Sequence, residues 1–270
     1  MKKIRFVATD IDDTILPYGK YELSDNIKKM FIKLRDKKIV TSLVTGRDFV
    51  TIGQMIKTEN VDYFIGANGA FIYDMKLKKM IYEKFINHSD LQKIIDFFEQ
   101  KRTKYVVMDD NFIYHPQYDS KHQGFLRNYQ DRMKLISEYT FSSNVHIFTV
   151  IDDFAEKSPL QFEFEEFIKN NNLDVHVSSR WSWGFFVAPK NVNKFVTLKY
   201  LASQKGISTE EIIAFGDSRN DVEMIANVGL GVAMDNAIEE LKAVAKDIAL
   251  DVNEDGVYYK LVDLKIIEDD

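Results

Sequence analysis

The chain has 270 residues, of which 45% are hydrophobic and 29% charged, with a formal net charge of −6 and no cysteine. That balance suits a globular protein of about two domains and excludes a disordered tail or a collagen-like chain. Without cysteine there is no disulfide framework, no thiolate metal site and no cysteine nucleophile. The longest apolar runs, such as 212–215, fall far below the ~18 residues of a membrane span. Arg5 and Asp10 interrupt the apolar stretch behind Met1-Lys2-Lys3, so no secretory core is expected and a cytoplasmic location follows. No basic stripe invites nucleic acid.

Taken in chain order, short β-branched runs alternate with longer helical stretches. A strand is predicted at 4–9, a helix at 24–37, a strand at 39–45, a helix at 49–57 and a strand at 61–66. Alternation of this kind indicates βαβ units and a parallel sheet. Residues 71–74 and 80–83 read as a hairpin. From Ser89 the texture changes and is rich in Phe and Tyr. Helices are predicted at 90–101, 120–139 and 159–171, with strands at 105–108, 145–150 and 175–178. The first style then returns. A strand at 185–188 precedes a helix at 193–204, a strand at 212–215, a helix at 221–226, strands at 230–232 and 248–250, and helices at 237–245 and the end. The expected architecture is a doubly wound α/β core of residues 1–84 and 185–270, interrupted by a second α/β domain over 85–184.

The chemistry gathers at the carboxyl ends of the core strands, where open α/β sheets bind ligands. Asp10-Ile11-Asp12-Asp13-Thr14 directly follows the first strand. Residues two apart on an extended chain point the same way, so Asp10 and Asp12 can converge on one ligand. Taken alone, the run is equally a charged turn. Gly216-Asp217-Ser218-Arg219-Asn220-Asp221 places a second acidic group after 212–215, with Asp217 and Asp221 four apart at a helix start. Asp in that position often serves only as a cap. Two acidic clusters in one core make an oxygen-rich site suited to a hard octahedral ion such as Mg²⁺. Thr45-Gly46-Arg47 ends the second core strand before a helix, a generic anion site that reads equally as an N-cap and a turn. Lys194 opens a later helix, and by position alone is one lysine among many.

The ordered set Asp10-Ile11-Asp12-Asp13-Thr14, Thr45-Gly46-Arg47, Lys194 and Gly216-Asp217-Ser218-Arg219-Asn220-Asp221 resembles the four motifs of the haloacid dehalogenase-like phosphatases. It is most similar to their Cof-type branch, as are Asn68-Gly69-Ala70, Asn191-Val192-Asn193-Lys194 and the run from Gly229 to Ala237. From Thr14 to Thr45 the chain advances 31 positions, and from Thr45 to Lys194 it advances 149, so any inserted domain falls in the second interval. The resemblance implies a C2-type α/β cap there, one that closes on substrate and selects it.

The resemblance also implies roles. Asp10 is the nucleophile and forms an aspartyl-phosphate. Asp12 is the general acid and then the general base. Asp10, the carbonyl of Asp12, Asp217 and Asp221 hold Mg²⁺. The Ile11 and Gly46 amides, Thr45, Lys194 and Asn220 bind the transferring phosphoryl oxygens. Asp13 stands where the family commonly has Gly and is expected to be a turn residue facing outward. Arg219 is expected to face solvent. Trp181 and Trp183 either stack on a substrate ring or pack at a junction, and His115 and His122 carry no ligand spacing. The expected substrate is a small phosphate ester, a sugar phosphate above all, with neither membrane nor nucleic acid as partner and a monomer or small homo-oligomer as the assembly. A phosphomannomutase-like phosphomutase and a non-catalytic phosphate sensor are the alternatives.

Overall fold

The computed structural model describes residues 2–117, 124–152, 158–181 and 183–269. Packing divides the chain into two compact units, Met1–Gly46 with Gln54–Tyr82 and Asn193–Asp270, and Arg47–Gly53 with Glu83–Val192.

The first unit is built on an eight-stranded sheet. Its order is Asp247–Ala249, Leu230–Met234, Ile212–Gly216, Phe6–Thr9, Val40–Val44, Tyr63–Gly66, Phe71–Asp74 and Lys79–Glu83. The first six run parallel, and Phe71–Asp74 turns back antiparallel on Tyr63–Gly66. Phe6–Thr9, Ile212–Gly216 and Tyr63–Gly66 are buried along their whole length, as strands covered on both faces must be. Phe6–Thr9 has Val40–Val44 on one side and Ile212–Gly216 on the other. The chain order therefore reverses at this strand, which opens a crevice beyond its carboxyl end.

The Asp25–Asp36 helix shows how local signals set the covering layer. Ser24 caps it by accepting from the Ile27 amide, and Ile27, Met30, Phe31 and Leu34 bury one face at helical spacing.

The second unit is built on a six-stranded sheet, ordered Val175–Trp181, Gly184–Pro189, Phe148–Ile151, Tyr105–Met108, Ile113–His115 and Met133–Leu135. All pairings are antiparallel except the last, which is parallel. The helices His88–Lys101 and Pro159–Asn170 supply Phe98 and Phe164 to an aromatic core with Tyr105, Phe148 and Phe185. The Phe98 ring lies 4.8–6.4 Å from the other four, centroid to centroid. Such contacts add to the apolar area that large rings remove from water.

Three sequence expectations need correction. The strand expected at 185–188 occupies Gly184–Pro189 and joins the second sheet, not the first. Phe185 and Val187 alternate into the aromatic core, and the strand lies so close that a Cβ on Gly184 would sit 1.9 Å from the Val150 carbonyl oxygen. The helix expected at 49–57 is two 3₁₀ stretches, Phe49–Thr51 and Gly53–Lys57, the second opening on Gly53 at φ +59°. Val50 is buried there with Val106, Met108, Ile113 and Leu126, so this short piece packs into the second unit.

The long helix expected at 120–139 is absent from the described part of that range, 124–139. A 3₁₀ stretch at Gly124–Arg132 breaks its angles at Tyr129, and the strand Met133–Leu135 follows. Tyr129 Oη and Arg132 Nη1 donate to the carbonyls of Thr51 and Val50, at 2.9 Å each, which fixes a tighter path than an α-helix allows. Residues 120–123, His122 among them, lie outside the described residues.

Candidate active site

Asp10 is the first residue beyond the Phe6–Thr9 strand, and its amide donates to the Phe215 carbonyl at 3.0 Å. The chain then turns tightly. The amides of Thr14, Ile15 and Leu16 all donate to the Ile11 carbonyl, and Asp13 adopts φ +55°. Asp13 is a turn residue, because its Oδ1 accepts from the Tyr18 amide and its carbonyl from Asn236. This leaves Asp10 at 5% exposure, Ile11 buried and Asp12 exposed. Asp12 is outside the buried carboxyl cluster, but its charge is felt by Asp10.

The second acidic group closes on the first. Asp221 ends the 3₁₀ turn Arg219–Asp221 and is fully buried, and its Oδ2 accepts from the amides of Asp217 and Ser218 at 3.3 and 3.2 Å. Gly216 is required for this return, since a Cβ there would lie 2.5 Å from Asp221 Cγ. Thr14 Oγ1 donates to Asp217 Oδ1 at 3.2 Å and so ties the two loops together. Oxygens of Asp10, Asp217 and Asp221 all lie within 4.8 Å of one another.

Lys194 sets the charge of this cluster. It begins the Lys194–Gln204 helix, which Asn193 caps by accepting from the Val196 amide at 2.8 Å. Its ammonium, 1% exposed, donates to Asp10 Oδ1 at 2.8 Å and to Asp221 Oδ1 at 2.7 Å. Burial works against the ammonium, but the two carboxylates outweigh it and hold it firmly protonated. Asp10 is pushed above the ordinary carboxylate range by burial, against the pull of Lys194, with Asp221 and Asp12 adding repulsion. Asp217 is pushed up in the same way, by burial first and then by Asp10 and Asp221. Three carboxyls thus share one ammonium in a site shielded from water. A divalent cation bound by oxygen ligands fits that surplus of negative charge.

Thr45 and Gly46 follow the Val40–Val44 strand. Thr45 is buried, its amide donates to the Ile65 carbonyl at 2.9 Å, and its own carbonyl accepts from the Asn68 amide at 3.0 Å. Asn220 Nδ2 donates to Asn68 Oδ1 at 2.8 Å, and a Cβ on Gly46 would lie within 3.4 Å of both side chains. All nine expected site residues lie in the first unit, around the carboxyl ends of its central strands. Sequence reasoning gave no role to Thr14 or Asn68, although both stand inside motifs it singled out.

The remaining candidates have ordinary surroundings. Arg219 pairs with Glu240 at the surface, at 2.9 Å. Trp181 stacks on Phe186 within the second unit and Trp183 is exposed. His115 Nδ1 lies 2.9 Å from its neighbour's carbonyl oxygen, that of Pro116.

A family model of haloacid dehalogenase-like hydrolases matches residues 7–261. The chain belongs to that family. Its acidic cluster, lysine and Thr-Gly loop lie at the carboxyl ends of the central strands, where open α/β sheets bind ligands. The chain is 29% identical over 256 residues to 5-amino-6-(5-phospho-D-ribitylamino)uracil phosphatase YcsE of Bacillus subtilis, covering 94% of this chain and 93% of that one. It is 26% identical over 268 residues to YitU of the same organism, which bears the same enzyme name, covering 93% and 94%. Among solved structures, a haloacid dehalogenase-like hydrolase from Bacteroides thetaiotaomicron shares the fold with a TM-score of 0.81 at 22% identity, covering 97% of this chain and all of that one. The chain is accordingly a phosphatase of the haloacid dehalogenase-like family. Among the described residues no helix is long and apolar enough to cross a membrane.

Proposed function

We propose that this phosphatase hydrolyses small phosphorylated metabolites, sugar or polyol phosphates, through an aspartyl-phosphate on Asp10 and with Mg²⁺ at its acidic cluster. One observation carries the reading: a buried Asp10 whose carboxylate is held by Lys194 and faces Asp217 and Asp221 at the switch point of the sheet. The name of the YcsE relative supports a substrate with a phosphorylated ribityl chain.

In the first step an Asp10 oxygen attacks phosphorus, the bond to the leaving oxygen breaks, and Asp12 gives that oxygen its proton. In the second, water attacks phosphorus, Asp12 takes the proton from water, and the bond to Asp10 breaks to release phosphate. Asp12 is placed for this exchange because it stands beside Asp10 and outside the buried cluster, within reach of both leaving group and water. Lys194, Thr45, Asn220 and the amides of Ile11 and Gly46 bind the phosphoryl oxygens, on which the transition state spreads its charge. Asp10, Asp217, Asp221 and the Asp12 carbonyl would hold Mg²⁺, which would supply charge neutralisation where nucleophile and phosphate otherwise repel. The second unit, expected at 85–184 and packed as Glu83–Val192 with Arg47–Gly53, acts as the substrate-selecting cap, and the protein works in the cytoplasm.

The test is phosphate release from a panel of sugar, polyol, nucleotide and flavin phosphates by wild type and Asp10→Asn, with Mg²⁺ and with EDTA. The reading requires release that depends on both Asp10 and Mg²⁺. Isomerised substrate without free phosphate would favour a mutase, and binding without any turnover would favour a sensor.

A further inference from the structure

The backbone spends an unusual conformation on the turn after the Tyr63–Gly66 strand. Ala67, Asn68 and Gly69 have φ of +48°, +55° and +104° in succession. Left-handed angles on an alanine and an asparagine in sequence are strained, and persist only where the surroundings impose them. Those surroundings are the residues of the proposed site. The Asn68 amide donates to the Thr45 carbonyl at 3.0 Å. The Gly69 carbonyl accepts from Thr197 Oγ1 at 2.7 Å, and a Cβ on Gly69 would lie 2.4 Å from the carbonyl oxygen of Asn193, the residue before Lys194. The turn is thus fastened to the Thr45-Gly46 loop on one side and to the Lys194 helix on the other.

What the strain holds in place is the Asn68 carboxamide. The residue is 2% exposed. Its Oδ1 accepts from Asn220 Nδ2 at 2.8 Å, while Asn220 Oδ1 lies 2.8 Å from Ser218 Oγ, which donates to it. Its own Nδ2 is buried and has no hydrogen-bond partner among the described residues. A buried amide donor without a partner is unfavourable. The orientation is therefore set by the need to offer oxygen to Asn220, not by the needs of Asn68 itself. Asn220 Nδ2 has two hydrogens. With one given to Asn68, its plane is fixed beside Gly46 and the other is left for an incoming ligand.

We infer that Asn68 is a positioning residue of the phosphoryl site, which acts by orienting the Asn220 carboxamide toward the transferring phosphoryl oxygens. This rests on the role proposed for Asn220 above. Catalysis gains because a donor already aimed need not reorganise during the reaction.

The experiment is a double-mutant cycle of Asn68→Gly and Asn220→Ala, since glycine accepts the left-handed backbone. It is read in kcat/KM for the best panel substrate and in the dissociation constant of inorganic phosphate with Mg²⁺ present. Asn68→Gly is expected to lower kcat/KM about 10- to 100-fold and to weaken phosphate binding, with little further loss when Asn220 is already alanine. Equal losses with and without Asn220, in either readout, would overturn the inference. So would the loss of cooperative melting in both Asn68→Gly and Asn68→Ala, because Asn68 would then serve the fold alone. The two readings fail separately. Inactive wild type defeats the phosphatase reading and leaves the phosphate-binding cycle to decide on Asn68, whereas active wild type with an additive cycle defeats only the present inference.

Discussion

Each unit buries a small cluster of charged side chains, and the two clusters are balanced differently. In the first, one ammonium, Lys194, serves three carboxyls, and burial with mutual repulsion drives Asp10 and Asp217 upward. In the second, the buried imidazole of His146 stands between Asp48 and Glu83, at 3.0 and 2.8 Å. Burial opposes its charge, but Asp48 and then Glu83 prevail and push its pKa up to about 10. Glu83 keeps a third of its side chain in solvent and is drawn below the ordinary range by its bond to His146. Asp110, nearby, is itself pushed up by burial, with His146 opposing. The second cluster is an ion bridge that joins Asp48, at the start of a short 3₁₀ turn, to the Glu83 end of a strand. The first holds three carboxyls against the single ammonium of Lys194 among the described residues. A bound ligand can cancel such an imbalance, so the contrast sets the proposed site for chemistry apart from a pairing that serves stability.

The largest effect that would sharpen this contrast is the loss of Asp10, the proposed nucleophile. Asp10→Asn is expected to reduce phosphate release by at least about 10³-fold while the protein still melts cooperatively. Activity assays beside a melting curve check both halves. Chelation comes next: EDTA should remove most turnover, and added Mg²⁺ should restore it. In the second unit, His146→Gln should leave kcat within about threefold of wild type, yet destabilise the protein by about 2–3 kcal/mol. This is less than the usual cost of breaking a buried pair, because Glu83 remains in reach of water. Calorimetry would show a drop in Tm of roughly 5–10 °C.

The same bridge sets a pH window. The folded pKa of His146 lies above the ordinary 6.5, so its contribution is complete below about pH 6.5 and is lost as pH climbs toward 10. Glu83 is shifted the other way, so its contribution holds above its ordinary 4.5 and fades as pH falls. Denaturant titrations across that range should show wild type losing stability on the alkaline side and His146→Gln losing less. The smallest expected effect is at Asp13. Replacing this left-handed turn residue by glycine relieves strain but gives up the bond from Tyr18, and both activity and Tm should stay within measurement error of wild type.

The parts legible in the sequence are those in which one residue type has one physical use. Apolar runs ending in Asp10 and Gly216-Asp217 read as buried parallel strands that open onto a site, because such strands carry no polar alternation. The spacing from Thr45 to Lys194 leaves room for a second unit in one interval only. What stayed hidden depends on partners far away in sequence. Arg47–Gly53 sits beside a site motif yet packs with the second unit through Val50 and Asp48, to groups 56 or more positions on. His146 has no neighbours in the chain that mark it as an ion-bridge residue. The 3₁₀ path of Gly124–Arg132 follows from hydrogen bonds to the carbonyls of Val50 and Thr51, which no local propensity records. Asn68-Gly69 reads as a turn from its composition. That its carboxamide faces Asn220 becomes visible only once the strands are side by side.

Thermal melting of wild type, Asp217→Asn and His146→Gln, each with Mg²⁺ and with EDTA, tests the contrast between the two clusters most directly. Removing a carboxylate from an overcharged site should raise Tm in EDTA and abolish the Mg²⁺-dependent rise seen in wild type. His146→Gln should lower Tm under both conditions and keep that rise. A wild-type Tm indifferent to Mg²⁺, together with an Asp217→Asn variant that melts lower in EDTA, would contradict the claim that the acidic cluster is a cation site.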